Sequence, residues 1–264
     1  MTHFKDKKRI VFKVGTSTLT YENGHLNIRR IELLCKVLCD LKNQGKEIIL
    51  VSSGAIGVGV GKLGLKQKPH DIPTKQAAAA VGQSELMYLY DKQFSEYGHI
   101  ASQVLLTRDI IEDRDRKTNV CNTMNRLLEL GSIPIVNEND TVSVEEIEFG
   151  DNDTLSAIVA TLVNADALII LSDIDGLYDA DPKTNKNAKL IEEVTEIDDK
   201  IMSIAGGSGS NRGTGGMITK LEAAKITMNN GIDMVIINGE RPYKLYDIFD
   251  GISIGTRFIS KKES

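Results

Sequence analysis

Short apolar runs alternate with amphipathic segments along most of the chain. Residues 10–14 form one such run, and residues 27–44 then place apolar side chains at helical spacing up to Gly45. The run predicts a buried strand, and the second segment predicts an amphipathic helix that ends at the glycine. Residues 47–51 form the next apolar run, and a glycine-rich segment at residues 52–59 follows it.

Later apolar runs repeat this arrangement, and each follows a helical or loop segment. They comprise residues 104–106, 133–136, 167–171 and 234–237, and the stretch near residues 74–95 is helix-prone. The runs are continuous rather than alternating, which is typical of strands that are buried on both faces. The pattern therefore predicts an α/β fold, in which helices cover both faces of a mostly parallel sheet.

Two segments depart from this alternation. Residues 141–149 alternate in places between apolar and polar side chains, which predicts a β-hairpin flap that leaves the main sheet. Residues 206–213 are rich in glycine and serine, which predicts a mobile loop and a candidate lid, but the segment is too short for an interdomain linker. We therefore expect one domain over residues 1–264.

Composition places the chain among globular proteins and restricts what it binds. Of its 264 residues, 41% are hydrophobic and 26% are charged, which is enough for one large core. The formal net charge is −5, whereas binding to a nucleic-acid backbone requires clustered lysine and arginine. We therefore expect no nucleic-acid partner, and an anionic ligand has to be bound by local positive charges.

No segment indicates export or membrane insertion. The sequence contains no apolar run of about 20 residues, the length that spans a bilayer. Its N-terminal residues pass directly into the first predicted strand, without the apolar region of a signal peptide. These observations favour a cytoplasmic protein without a membrane partner.

Cysteine and histidine are too scattered to indicate a metal site or a nucleophile. Cys35 and Cys39 lie one helical turn apart and Cys121 stands alone, which argues against a disulfide framework and a four-ligand zinc site. None of the four histidines lies in a recognisable catalytic setting. A nucleophile of the serine-histidine-aspartate type is therefore not expected.

Two lysines in glycine-containing segments are the strongest indication of chemistry. Lys13 lies in the segment VFKVGTS, and Lys220 closes the segment GTGGMITK. Glycines let backbone N–H groups approach an anion closely, and a lysine adds a mobile positive charge. The second segment differs from a Walker A loop because Lys220 follows Thr219 rather than a glycine. Together the two segments predict phosphoryl transfer.

Each lysine also has a simpler interpretation. Lys13 can be an edge-strand residue whose charge lies in water, and the segment before Lys220 can be an ordinary loop. A helix is predicted to begin near Met217 and to stop at Gly231. The preceding glycines would then lie at a helix N-terminus, where the dipole favours phosphate.

Three polar segments lie at positions where an α/β fold binds ligands. Residues 137–140 directly follow a predicted strand, at the carboxyl edge of the sheet. Residues 150–153 precede an alanine-rich helix, which either Asp151 or Asn152 caps. Residues 172–178 follow another strand and suit the edge of a nucleotide site. A turn or a cap also accounts for any single member of these segments.

Taken in order along the chain, these segments resemble the motifs of the amino acid kinase family, and within it the branch that phosphorylates L-glutamate. The resemblance covers nearly the whole sequence. It is carried by Lys13-Val14-Gly15, Ser52–Ala55, Asn137–Asp140, Gly150–Asp153, Ser172–Tyr178 and Gly213–Met217. It implies a three-layer α/β/α sandwich with a mainly parallel sheet, an amino-acid site in the N-terminal half and an ATP site in the C-terminal half.

The resemblance also implies roles for individual residues. Lys13 and Lys220 are expected to neutralise phosphate charge in the transition state, and Asp153 is expected to orient the two lysines. The residues expected to hold the amino-acid substrate are Ser53, Asn137, Asp140, Asp151 and Asn152. The residues expected to contact the nucleotide are Lys13, Ser172, Asp173, Thr214, Gly215, Gly216, Met217, Ile218, Thr219 and Lys220.

The implied reaction transfers the γ-phosphoryl group of MgATP to the side-chain carboxylate of L-glutamate, which begins proline synthesis. ATP and Mg²⁺ are the expected cofactors, and no protein ligand is assigned to Mg²⁺ because it keeps several waters and binds phosphate oxygens. Two alternatives stay open. One is a related kinase acting on N-acetylglutamate, aspartate, carbamate or UMP, and the other is a non-catalytic regulator that binds a nucleotide or an amino acid.

Three further expectations follow from the resemblance alone. Feedback inhibition by proline is common in this branch of the family, and the family suggests a homo-oligomer. Many members of the branch carry an additional C-terminal RNA-binding-like domain of the PUA type. The present sequence ends at Ser264, shortly after the segment Thr256–Phe258, so we expect no such domain.

Overall fold

The computed structural model describes residues 4–21, 25–67, 69–107, 113–142, 152–182, 184–205 and 216–260. Several predicted features lie outside these residues. They are the flap at 141–149 beyond Val142, the loop at 206–213, and the site residues Asp151, Thr214 and Gly215.

An eight-stranded sheet forms the centre of the fold. Its strands are β1 (Arg9–Val14), β2 (Glu47–Ser52), β3 (Ala101–Leu106), β4 (Ile133–Glu138), β5 (Ala167–Ser172), β6 (Glu193–Val194), β7 (Asp233–Asn238) and β8 (Thr256–Phe258). Their order across the sheet is β3-β4-β2-β1-β5-β7-β8-β6. β7 and β8 pair antiparallel, and the other strand pairs between described residues are parallel.

Helices connect the strands and cover the sheet. They are α1 (Thr16–Leu19), α2 (Ile28–Asn43), α3 (Ala55–Lys62), α4 (Ile72–Ser95), α5 (Arg114–Glu129), α6 (Asn152–Leu162), α7 (Asp199–Ala205), α8 (Met217–Asn229) and α9 (Leu245–Phe249), with a 3₁₀ turn at Pro242–Lys244. None of the described helices combines the length and the apolar character needed to cross a bilayer. The architecture confirms the predicted α/β fold with a mainly parallel sheet.

The sheet separates two hydrophobic cores. One core contains apolar side chains of α2, α3, α4 and α9, and the other contains those of α5, α6 and α8. In β1, Ile10 and Phe12 point into the first core, and Val11 points into the second. Successive side chains of a strand point to opposite faces. Lys13 therefore shares the face of Val11, where α6 and α8 pack.

The structure confirms several predicted element boundaries. Helix α2 begins after Asn27, whose side chain accepts a hydrogen bond from the Arg30 N–H at 3.1 Å, a contact typical of an N-cap. Gly45 follows this helix with a φ of 89°, in the left-handed region that favours glycine. Gly231 follows α8 in the same way with a φ of 71°.

Two predictions and one alternative interpretation of strand positions were wrong. The prediction that β4 ends before Asn137 was wrong, because the strand continues through Glu138. Ser172 is the last residue of β5 rather than part of the loop after it. The edge-strand interpretation of Lys13 was also wrong, because β1 lies between β2 and β5 and Lys13 is only 6% exposed.

The glycine-rich segment after β2 forms helix α3, which packs unusually close to α4. A Cβ atom placed on Gly59 would lie 1.8 Å from the backbone oxygen of Ala78, and one on Gly82 would lie 1.8 Å from that of Ala55. These distances are far below van der Waals contact, so the two helices can approach this closely only because both positions are glycine. The pairing fixes the end of α3 that follows β2.

We expect Gly59→Ala to destabilise the protein by about 1–3 kcal/mol or more, because the added methyl group must push α3 and α4 apart. Urea-induced unfolding followed by circular dichroism measures this effect. Gly57→Ala is the matched control, since its Cβ would lie 3.5 Å from the nearest heavy atom, in Thr16. The control is expected to be neutral or stabilising, as for other glycines within helices. Equal stability of the two variants would contradict the close packing.

Candidate active site

Three charged side chains from separate elements meet at the carboxyl end of β1. Lys13 is on β1, Asp153 is in the first turn of α6, and Lys220 is in α8. The Nζ atom of Lys13 lies 2.6 Å from Asp153 Oδ1, and the Nζ atom of Lys220 lies 3.0 Å from Asp153 Oδ2. One carboxylate therefore binds both ammonium groups, one on each oxygen.

The three charged side chains are almost fully buried, which strengthens the electrostatic interactions between them. The side chains of Lys13, Asp153 and Lys220 are exposed by 8%, 0% and 4%, respectively. Burial alone raises the pKa of the Asp153 carboxyl, but the two lysines outweigh it and hold that pKa at about 2. The cluster thus brings two ammonium groups to one ionised carboxylate. An anion such as a phosphoryl group is complementary to these ammonium groups.

The N-terminus of α8 supports the same cluster. Gly216 is the N-cap residue of this helix and offers no side chain for capping. The hydroxyl oxygen of Thr219 lies 3.0 Å from Asp153 Oδ2 and 2.7 Å from the carbonyl oxygen of Gly216. Thr219 therefore links the beginning of the helix to the carboxylate between the two lysines.

A network of amide groups lies next to the charged cluster. Asn152, the residue before Asp153, donates from Nδ2 to the carbonyl oxygen of Ser52 and to Oδ1 of Asn137, both at 2.9 Å. Asn152 is 4% exposed, and its buried Oδ1 has no hydrogen-bond partner among the described residues. A buried acceptor without a partner is costly, so this atom is suited to a ligand donor such as an ammonium group.

Two carboxyl groups lie at the end of β4. Glu138 is 3% exposed, and Asp140 lies in the turn that follows the strand. Burial, together with the charge of Glu138, raises the pKa of Asp140 to about 7. Negative charge is therefore disfavoured here unless a cation arrives, and a ligand with a positive group would supply one.

The remaining predicted residues that the structure describes lie at the ends of other strands and at the beginning of α8. Ser53 follows β2, and its N–H donates to the carbonyl oxygen of Val14 at 3.0 Å. Ser172 ends β5, and its hydroxyl lies 3.1 Å from Asp173 Oδ1. In the first turn of α8, Met217 is half-buried and Ile218 is exposed.

Sequence analysis missed the contribution of α4 to this site. Gln83 accepts a hydrogen bond from Asn137 Nδ2 at 2.9 Å, and the buried Tyr90 hydroxyl lies 2.9 Å from Ser52 Oγ. The available signal was Gly82, since a glycine inside a helix often marks a close backbone approach. Among the described residues, no group of three histidine, cysteine, aspartate or glutamate side chains is arranged to hold a metal ion.

Comparison with known proteins assigns the family. Residues 8–238 match the amino acid kinase family. The chain belongs to this family. It is 63% identical over 262 residues to the glutamate 5-kinase of Clostridium perfringens (strain 13 / Type A), covering 98% of this chain and 97% of that relative. It is 57% identical over 263 residues to the glutamate 5-kinase of Listeria monocytogenes (serovar 1/2a), covering 98% of this chain and 95% of that relative.

Solved structures agree with this amino acid kinase fold. The isopentenyl phosphate kinase of T. acidophilum superimposes with a TM-score of 0.62, covering 95% of this chain and all of the other. The two sequences are 20% identical, so the likeness concerns the fold alone. The predicted family and fold are therefore confirmed.

Proposed function

We propose that this protein transfers the γ-phosphoryl group of MgATP to the side-chain carboxylate of L-glutamate, giving L-glutamyl 5-phosphate, the first intermediate of proline synthesis. The observation that carries the proposal is the buried cluster of Lys13, Asp153 and Lys220 beside the amides of Asn137 and Asn152. The glutamate 5-kinases described above support it, because the identity extends over nearly the full length of both chains.

The charged cluster suits this reaction because the nucleophile needs no general base. A glutamate side chain has an unperturbed pKa of about 4.3 and is ionised at neutral pH. One of its oxygens attacks the γ-phosphorus, the bond to the β,γ-bridging oxygen breaks, and ADP leaves with that electron pair. The protein has to align two anions that repel each other and to place positive charge around the transferring group.

Lys13 and Lys220 would supply that positive charge, since their ammonium groups are fixed by Asp153. Because Asp153 holds one lysine on each oxygen, it sets their separation before substrate binds. Such preorganised charge lowers the barrier without rearrangement during the reaction. Asp153 is therefore proposed to position the lysines rather than to accept a proton, in accord with its low pKa.

The substrate groups are assigned by chemical complementarity. Asn152 Oδ1 and the Asp140 carboxylate would accept from the α-ammonium group of glutamate, and Ser53, Asn137 and Asp151 complete the proposed amino-acid site. Mg²⁺ arrives with ATP as part of the substrate, and no protein ligand is assigned to it. The proposed nucleotide contacts are Lys13, Ser172, Asp173, Thr214, Gly215, Gly216, Met217, Ile218, Thr219 and Lys220. Cytoplasmic location, assembly as a homo-oligomer and inhibition by proline stay predictions.

The experiment that tests the proposal measures ADP release by the purified protein with MgATP and a panel of acceptors. The panel comprises L-glutamate, N-acetyl-L-glutamate, L-aspartate, carbamate and UMP, with hydroxylamine present to trap an acyl phosphate. Turnover and hydroxamate formation with glutamate alone are expected. ADP release with another acceptor would change the assigned substrate but not the type of reaction. If no acceptor in the panel supports ADP release, catalysis is contradicted.

We expect the KM for L-glutamate to fall as the pH rises from 6 to 8. The raised pKa of about 7 keeps much of Asp140 neutral below that pH, and the ionised form is the one that binds an ammonium group. The fall is at most about ten-fold per pH unit, the limit for a single titrating group. Initial rates at saturating MgATP measure it. A pH-independent KM would contradict the assignment of Asp140.

Protein stability provides a second readout for the same group. A carboxyl whose pKa is raised on folding destabilises the folded state once the pH exceeds its pKa in the unfolded chain, about 3.9. The destabilisation reaches its full size above the pKa of the group in the folded state. Asp140→Asn is therefore expected to raise the melting temperature more at pH 8 than at pH 5. Asp91→Asn, at an exposed position on α4, is the control and should show no such difference.

A further inference from the structure

The backbone determines the orientation of the amide group of Asn137. The N–H of Glu138 donates to one terminal atom of this side chain at 2.9 Å, so that atom must be the acceptor, Oδ1. The other terminal atom is therefore Nδ2, and it lies 2.9 Å from the Gln83 side chain. A backbone N–H is always a donor, and hence the side-chain atom that it contacts is the oxygen.

The same logic extends to Gln83. Because Asn137 Nδ2 is a donor, the atom of Gln83 that faces it must be Oε1. The Nε2 group of Gln83 then points away from Asn137, and its two N–H groups make no hydrogen bond to the part of the chain that the structure describes. Gln83 is half-buried. It thus presents an unused pair of donors next to the amide network.

Helix packing fixes the backbone next to Gln83. Gly82, the residue before Gln83, touches the backbone of Ala55 so closely that no side chain fits between them. Ala55 begins α3, directly after the turn that follows Ser52. The carbonyl oxygen of Ser52 in turn accepts from Asn152. The residue next to Gln83 is therefore held against the beginning of α3, which follows the strand end that accepts a hydrogen bond from Asn152.

We propose that Gln83 is a substrate-binding residue whose Nε2 donates a hydrogen bond to the α-carboxylate of the amino-acid substrate. This inference rests on the proposed function and adds a residue to the site. Its Oε1 has a second task, since it holds Asn137 and through it the amide of Asn152. One side chain thereby binds the substrate and also orients the amides of Asn137 and Asn152, which are proposed to bind it as well.

The arrangement matches the charges of a free amino acid. Asn152 Oδ1 is an acceptor without a partner, and Gln83 Nε2 is a donor without a partner among the described residues. An α-ammonium group requires acceptors, and an α-carboxylate requires donors. The two unused groups therefore distinguish the two ends of a zwitterion, and they leave the side-chain carboxylate to approach the lysines.

Gln83→Glu separates the two tasks of the residue. The variant keeps an oxygen that accepts from Asn137 but replaces the donor with a charge that repels a carboxylate. We expect the KM for L-glutamate to rise at least about ten-fold, as for a lost hydrogen bond to a charged group, with kcat changed much less. Gln76→Glu is the matched control, since it makes the same change two helical turns earlier on α4.

A second substrate tests which group Gln83 binds. L-glutamic acid 1-amide has a neutral amide in place of the α-carboxylate and keeps the side-chain carboxylate. Gln83→Glu is expected to reduce kcat/KM for L-glutamate far more than kcat/KM for the 1-amide, so the ratio of the two falls at least about ten-fold. The control variant should leave this ratio unchanged.

Two results would overturn the inference. They are an unchanged KM for glutamate in Gln83→Glu, and an equal loss of kcat/KM for both substrates, which would indicate a structural role alone. Failure of the proposed function would look different, because the wild-type protein would then form no hydroxamate with L-glutamate. The wild-type measurement therefore precedes the comparison of variants.

Discussion

Lys220→Met is expected to lower kcat for glutamyl phosphate formation by about a thousandfold, the scale for removing a charge that stabilises a transferring phosphoryl group. The fold should persist, because Asp153 keeps Lys13 on its other oxygen. ADP release at saturating substrates measures kcat, and thermal unfolding checks the fold. Lys225→Met, an exposed lysine on the same helix, is the control and should retain full activity.

The corresponding change at Lys13 gives a stricter test. If both lysines stabilise the same phosphoryl group, Lys13→Met should also lower kcat by two to three orders of magnitude, roughly as a lost oxyanion-hole donor does. The double variant should lose less than the product of the two single effects, because residues that act as a unit are not additive. A kcat within a few-fold of wild type for either single variant would contradict the proposed mechanism.

Asp153→Asn is expected to destabilise the protein by about 3–5 kcal/mol, the scale for breaking a buried ion pair. The substitution removes the carboxylate that both buried ammonium groups, those of Lys13 and Lys220, contact. Urea unfolding at pH 7 measures the loss, and activity should fall with it because the lysines are no longer held. Asp173→Asn, at a less buried position after β5, is the control for stability.

Two further observations separate charge from shape at Asp153. Combining Asp153→Asn with Lys13→Met removes one negative and one positive charge, so the net charge equals that of the wild type. The double variant should recover part of the stability without recovering activity. The low pKa of Asp153 stabilises the folded state above the unfolded value of about 3.9, and this contribution is lost as the pH falls towards 2. The stability difference between wild type and Asp153→Asn should therefore shrink from pH 7 to pH 3. A constant difference would mean that shape, not charge, accounts for the loss.

Local patterns were sufficient for the elements of this fold. Continuous apolar runs predicted buried parallel strands, and the helix from Asn27 was correct at both ends because its N-cap and the following glycine are local signals. Helix α3 was different, because a glycine-rich helix is intrinsically weak and forms here against α4. Its stability comes from packing between segments that are distant in sequence.

The sequence by itself determined the α/β class, the family resemblance and the residue types at the charged cluster, since these reside in periodicity and in short motifs. The tertiary structure decided that Lys13 lies in a central strand and shares one carboxylate with Lys220. It also brought Gln83 to Asn137, 54 residues apart. Contacts of this kind depend on how helices and strands pack. The local sequence around a side chain does not specify the residue that it contacts after folding.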